Sequence, residues 1–155
     1  MTRIRNLSII GLALVLAGCD AAPRQKQVEA ALLAQWPQVK AEMLDQAAFF
    51  DDHAAQFEAG AALSAHVSRS LGSEDMLSAG ANSVVAEDRA NAAHLRAIAA
   101  GQPPKLTANA CAAAKPEPGY NCDIAYTVET AQGPVTFKDV RVRLLKDDKG
   151  WRIVG

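Results

Sequence analysis

The chain has 155 residues, 16 Lys and Arg against 17 Asp and Glu, a formal net charge of −1, and an apolar share of 50%. This near balance excludes the strongly basic class that grips nucleic acid through its phosphates, and no Lys/Arg run forms a patch for anionic lipid. The length suits a single core of useful size, and no internal repeat is visible.

The first element is a leader. Arg3 and Arg5 precede the apolar run Leu7 to Leu16, about ten residues long, the length of a secretory h-region. Charge returns at Asp20 and Arg24, so the run falls short of the roughly 20 apolar residues that a membrane-crossing helix requires. The run closes on Leu16-Ala17-Gly18-Cys19, which resembles the lipobox of bacterial lipoproteins. The resemblance implies diacylation of the Cys19 sulfur, palmitate being a typical chain, cleavage just before Cys19, and acylation of the new amine. Each buried CH₂ contributes about 0.8 kcal/mol, so one acyl chain holds marginally and two or three hold durably. Loss of Arg3 and Arg5 with no acid moves the net charge from −1 to −3. Asp20 is similar to the retention signal of enterobacterial lipoproteins, which favours the inner membrane over the outer. The expected organisation is a signal peptide at 1–18, a lipidated tether at 19–26, and one α+β domain at 27–155, facing the periplasm.

Helical signals begin directly after the tether. Val28, Leu32, Trp36, Val39, Met43, Ala47, Phe50, Ala54 and Phe57 recur at steps of three or four, the period of one helical face. Pro37 lacks an amide donor and crowds the preceding turn, which predicts a kink or break near Trp36. Gly60 is the expected end, followed by a second helical stretch from Ala61 to Leu71, with Leu63, Val67 and Leu71 on one stripe and Gly72 as the stop. Ser73-Glu74-Asp75 is placed to cap a further turn through Met76 and Leu77, and Gly80 to interrupt it. A last helix is expected from Glu87 to Ala100, with Glu87 and Asp88 at its positive end and Asn91, Leu95 and Ile98 on one side. Gly101 and Pro103-Pro104 end it.

The tail changes period. Residues 105 to 111 are expected as a first strand, and Cys122, Ile124, Tyr126 and Val128 alternate with polar or small residues as a second. Gln132-Gly133-Pro134 makes a turn. In the next strand the apolar parity flips between Phe137 and Val140, which places a β-bulge near Lys138-Asp139. Asp147-Asp148-Lys149-Gly150 turns into a final strand carrying Trp151 and Ile153. Cys111 and Cys122 form an even pair in an oxidising compartment, so they are expected to bond and staple the first strand to the second. Their spacing is not the C-x-x-C of reactive dithiols.

Helices first and strands after give an α+β class: N-terminal helices packed on one face of an antiparallel meander of three or four strands. The end of the chain, above all Lys149-Gly150-Trp151-Arg152-Ile153-Val154 after an acidic turn, is similar to the last hairpin of small envelope lipoproteins with cystatin-like or nuclear-transport-factor-like folds. That likeness implies helices against a bent sheet and carries no catalytic residue. The helical half is longer and richer in alanine than such a cone needs.

Candidate chemistry is sparse. Asp51-Asp52-His53 with Glu58 is the densest cluster of metal-ligand types, but Asp52 and Glu58 do not share a helical face, and a solvated flank is the expected reading. His66 lies between Ser64 and Ser68 without a nucleophile turn, and His94 reads as a boundary histidine. No phosphate loop or dinucleotide fingerprint occurs, so no catalytic residue, metal or cofactor is assigned. Arg141 and Arg143 point outward from the third strand and Arg152 comes alongside, a candidate partner-binding surface, with Asp139 and Glu129 as expected counter-charges. The expectation is a membrane-anchored, non-enzymatic binding or accessory module with an envelope protein partner and no nucleic acid. The alternative is an inhibitor or immunity lipoprotein against an envelope-directed hydrolase, using the Lys115 to Gly119 hairpin as a plug.

Overall fold

A computed structural model of the chain describes residues 21–72 and 76–154, without the side chains of 76–79. The leader, the Leu16-Ala17-Gly18-Cys19 run, Asp20 and the expected cap Ser73-Glu74-Asp75 lie outside the described residues. The architecture is α+β: helices α1 (Gln25–Leu71) and α2 (Met76–Ala99), then strands β1 (Lys105–Ala113), β2 (Tyr120–Thr130), β3 (Gly133–Asp147) and β4 (Gly150–Val154). Among the described residues no helix is long and apolar enough to cross a membrane.

α1 starts inside the expected tether, where the Gln27 side chain accepts the Arg24 backbone N–H at 2.8 Å. It runs unbroken through both Pro37 and Gly60, which corrects the expected break and the expected end. The reason is packing on both sides of each residue. Around Pro37, the buried Leu32 and Trp36 and the half-buried Val39 and Met43 are fixed in one cluster with the sheet. Around Gly60, Ala54 is buried and Ala61 half-buried, so a glycine cost of about 1 kcal/mol is outweighed by the pairing of the two helices. The stop comes at Gly72, whose φ of 68° is the left-handed conformation glycine adopts freely and whose N–H reaches the Ser68 carbonyl.

α2 likewise continues through Gly80. Glu87 and Asp88 therefore sit in mid-helix rather than at a start, and the buried line is Val85, Asp88, Ala92, Ile98 and Ala99, with Asn91 exposed. The two helices form an antiparallel hairpin, joined by Glu58–Arg89 at 2.7 Å and by Asp51–Arg96. Ala47, Ala54 and Ala92 are almost wholly buried, and such small side chains let the helices approach closely.

At 1.5 Å per residue, the 47 residues of α1 span roughly 70 Å. Only its first half, from Val28 to Met43, shares the main core with Ile98, Leu106, Ile124, Tyr126, Val128 and Leu144. The rest of α1 pairs with α2 beyond that core, which explains why the helical half exceeds what a cone requires.

The sheet is a plain meander, β1-β2-β3-β4, each neighbour antiparallel. The expected bulge is present: between the pairs Ile124↔Val140 and Tyr126↔Phe137, β2 has only Ala125 while β3 has Lys138 and Asp139. Asp139 takes φ 56°, a conformation that Asp tolerates better than most residues. The extra residue returns Val140, Val142 and Leu144 to the face already used by Val135 and Phe137. A second shift, not anticipated, inserts Thr107 in β1. The turn between β2 and β3 falls at Ala131-Gln132, one residue earlier than expected, with Thr130 opposite Gly133. β4 pairs only with Arg143 to Asp147, so β3 from Gly133 to Val142 has a neighbour on one side only. Pro134, Lys138 and the bulge occupy that free edge, features that discourage strand addition.

Candidate functional site

Cys111 and Cys122 lie directly opposite each other in the β1–β2 register and are bonded, with S–S 2.03 Å. Alternation along β2 turns Cys122 into the core with Ile124 and Tyr126, where it is fully buried. The loop between the cysteines closes through the Ala114 N–H, which donates to the Gly119 carbonyl at 2.9 Å. Lys115 to Pro118 are exposed, but Arg143 draws the loop back onto β3 by donating to the Pro118 carbonyl at 2.9 Å and pairing with Glu117. Gly119 is required here: a Cβ would lie 2.4 Å from the Leu144 carbonyl oxygen, and φ is +101°.

The arginine surface has different counter-charges from those expected. Asp139 and Glu129 are not the partners: Arg141 grips Asp123 with two bonds, Nε at 2.8 Å and Nη2 at 3.3 Å, Arg143 holds Glu117, and Arg152 holds Asp147 at 3.0 Å. The hydrogen bond from Arg141 holds the Asp123 carboxyl below its ordinary range, and Arg141 is raised in return. Each of the three arginines thus has its own carboxylate, and an acidic partner would have to compete with it. The sequence places these arginines on one face but does not identify their carboxylates, because Asp123 and Glu117 come from the neighbouring strand and loop.

The cluster at Asp51-Asp52-His53 is divided rather than convergent. Asp51 turns to Arg96, whose hydrogen bond lowers the Asp51 pKa, Asp52 is exposed, and His53 turns to Asp88 of α2, Nδ1 to carboxylate at 2.7 Å. Among the described residues no group of three His, Cys, Asp or Glu is arranged to hold a metal. His66 and His94 are exposed. The functional candidate missed in the sequence is Asp88, only 7% exposed in mid-helix. Buried carboxylates need partners, and here the partner is 35 residues away, visible only once the helices pair. Phe49 stacks on the His53 ring at 6.0 Å and Phe57 meets it edge-on at 4.8 Å, so the imidazole sits in an aromatic clasp on the hairpin.

Next to that clasp the hairpin opens into an apolar hollow of about 620 Å³ between Phe57, Gly60 and Ala61 of α1 and Gly80, Ala81 and Val84 of α2. Beyond the neighbouring backbone of its own helix, no atom lies within 4 Å of where a Cβ would stand on Gly60 or Gly80. A side chain at either position would project into open space. Phe49, Leu63, Val67 and Leu71 are exposed along α1 on either side of it. No protein-family model, no curated protein and no solved structure matches this chain.

Proposed function

We propose that the chain is a lipid-anchored envelope protein facing the periplasm, acting as a non-enzymatic binding or accessory module. The observation that carries this reading is the Cys111–Cys122 bond across β1 and β2, because such bonds persist in compartments that oxidise thiols. It agrees with the leader and with the lipobox-like run ending at Cys19. Asp20, by the same resemblance, directs the protein to the inner membrane. From Cys19 to the start of α1 at Gln25 the chain can reach at most roughly 20 Å. An acylated Cys19 would therefore hold the sheet-packed end of α1 near the bilayer and leave the hairpin free to extend.

The exposed apolar side chains of that hairpin support a binding role, since contiguous apolar surface on a monomer marks an interaction site. The folded-back Lys115 to Gly119 loop weighs against the inhibitory plug. The test is purification of the acylated protein from detergent-solubilised membranes. A membrane protein complex is the expected result. Recovery with a stoichiometric soluble hydrolase would replace this reading with inhibition, and recovery of the chain with no other protein would refute the accessory role.

A further inference from the structure

We infer that the apolar face of the helical hairpin is a self-association surface, on which a second copy of this chain packs α1 antiparallel to α1 with Gly60 at the two-fold axis. At 100° per residue, Phe49, Gly60, Leu63, Val67 and Leu71 fall within about 80° of one another on α1. They form one stripe beside the face turned to α2. Phe49 is 63% exposed, Leu63 65% and Leu71 75%, values expected of polar residues rather than of these.

The stripe is complementary to its own reverse. In an antiparallel pair centred on Gly60, Phe57 of one copy lies level with Leu63 of the other, Phe49 with Leu71, and Val67 with His53 between its two phenylalanines. Gly60 at the crossing lets the backbones approach, and the hollow between Gly60 and Gly80 receives an apolar side chain from the second copy. The exposed parts of Phe49, Leu63, Val67 and Leu71, with Phe57 at the edge of the stripe, amount to roughly 500 Å² per copy, so complete burial on both copies would remove at most roughly 1,000 Å², the least a specific interface needs.

A lipid surface fits this face less well. Helices that lie on membranes carry Lys and Arg along the polar side, whereas α1 from Leu44 to Leu71 has only Arg69 against Asp45, Asp51, Asp52 and Glu58.

The test is thiol crosslinking of the purified acylated chain carrying Gln56→Cys, using a bismaleimide of about 12 Å reach, so that Gly60 stays at the crossing. Gln56 is exposed, and the two-fold axis sets its two copies about 12 Å apart along the helices. Most of the chain should shift to a covalent dimer, while the parent chain and Leu33→Cys, on another side of α1, should not. Adding Leu63→Glu should cut the yield at least tenfold with helix content unchanged. A monomeric product, equal crosslinking by Leu33→Cys, or an introduced thiol shielded from maleimide without dimer would overturn the inference, the last assigning the face to a different occupant. Sedimentation equilibrium of the unsubstituted chain in density-matched detergent gives an independent reading: twice the chain mass is expected, and the chain mass at every concentration refutes the pairing.

Discussion

Replacing both Cys111 and Cys122 by alanine removes the one covalent link in the sheet, and its effect can be worked from the sequence separation of 11 between them. In the chain-entropy account, opening a loop of this size releases denatured-state freedom worth roughly 3 kcal/mol at 25 °C. For a chain of about 150 residues each kcal/mol moves the melting temperature by about 2–4 °C, so the double variant should melt about 6–12 °C lower. Alanine is the correct replacement because Cys122 is fully buried, and a buried hydroxyl without a partner would add about 1–3 kcal/mol of its own. The assay is urea unfolding followed by far-ultraviolet circular dichroism, on the variant and on the parent with and without reductant. The parent in reductant and the double variant should agree, and both should show a larger m value as the unfolded chain expands. A loss below about 1 kcal/mol in both would show that the bond does not constrain the unfolded chain, since a native cross-link normally contributes about 2–4 kcal/mol.

Other consequences concern single residues. His53→Ala leaves the Asp88 carboxylate buried without its partner; because His53 is itself half-exposed, a loss of about 1–3 kcal/mol is expected in chemical denaturation, and Asp88→Leu with His53→Leu should restore most of it. Gly119→Ala forces both a steric overlap with the Leu144 backbone and a positive φ, so it should cost at least about 2 kcal/mol, whereas Gly80→Ala, made in a Leu63→Glu chain so that no second copy fills the hollow, should stabilise by about 0.5–1 kcal/mol. Equal effects at the two glycines would contradict the structure. Arg141 depresses the Asp123 pKa. The pair's contribution is therefore present above the ordinary carboxylate pKa and is lost as pH falls through the depressed one. A carbon-detected NMR titration should show Asp123 returning to the usual range in Arg141→Ala, and no change would sink the pairing.

The strands were more legible than the helices, and the reason is physical. Alternation in β2 and the parity flip between Phe137 and Val140 arise from the same pleat that places the residues, so both the buried face and the bulge at Lys138-Asp139 could be read locally. Gly60 and Gly80 misled because a glycine contributes only about 1 kcal/mol against a helix, less than the cross-helix contacts that no local pattern reveals. Asp88 misled in the same way: with α2 beginning at Met76, an acid that resembles a helix start becomes a buried partner for His53. Among the candidate site residues, the cysteine pair was legible because strand register brings positions 111 and 122 face to face. The outward direction of Arg141 and Arg143 was legible too, but their carboxylates were not.

The proposed function places acyl chains on Cys19 and the rest of the chain in an oxidising compartment. Intact-protein mass spectrometry under non-reducing conditions, on material extracted from cell membranes, tests it most directly. The expected chain begins at Cys19, is heavier by one diacylglyceryl group on sulfur with or without a further acyl group on the amine, and is lighter by two hydrogens for the Cys111–Cys122 bond. An uncleaved, unacylated chain with both thiols reduced would contradict it.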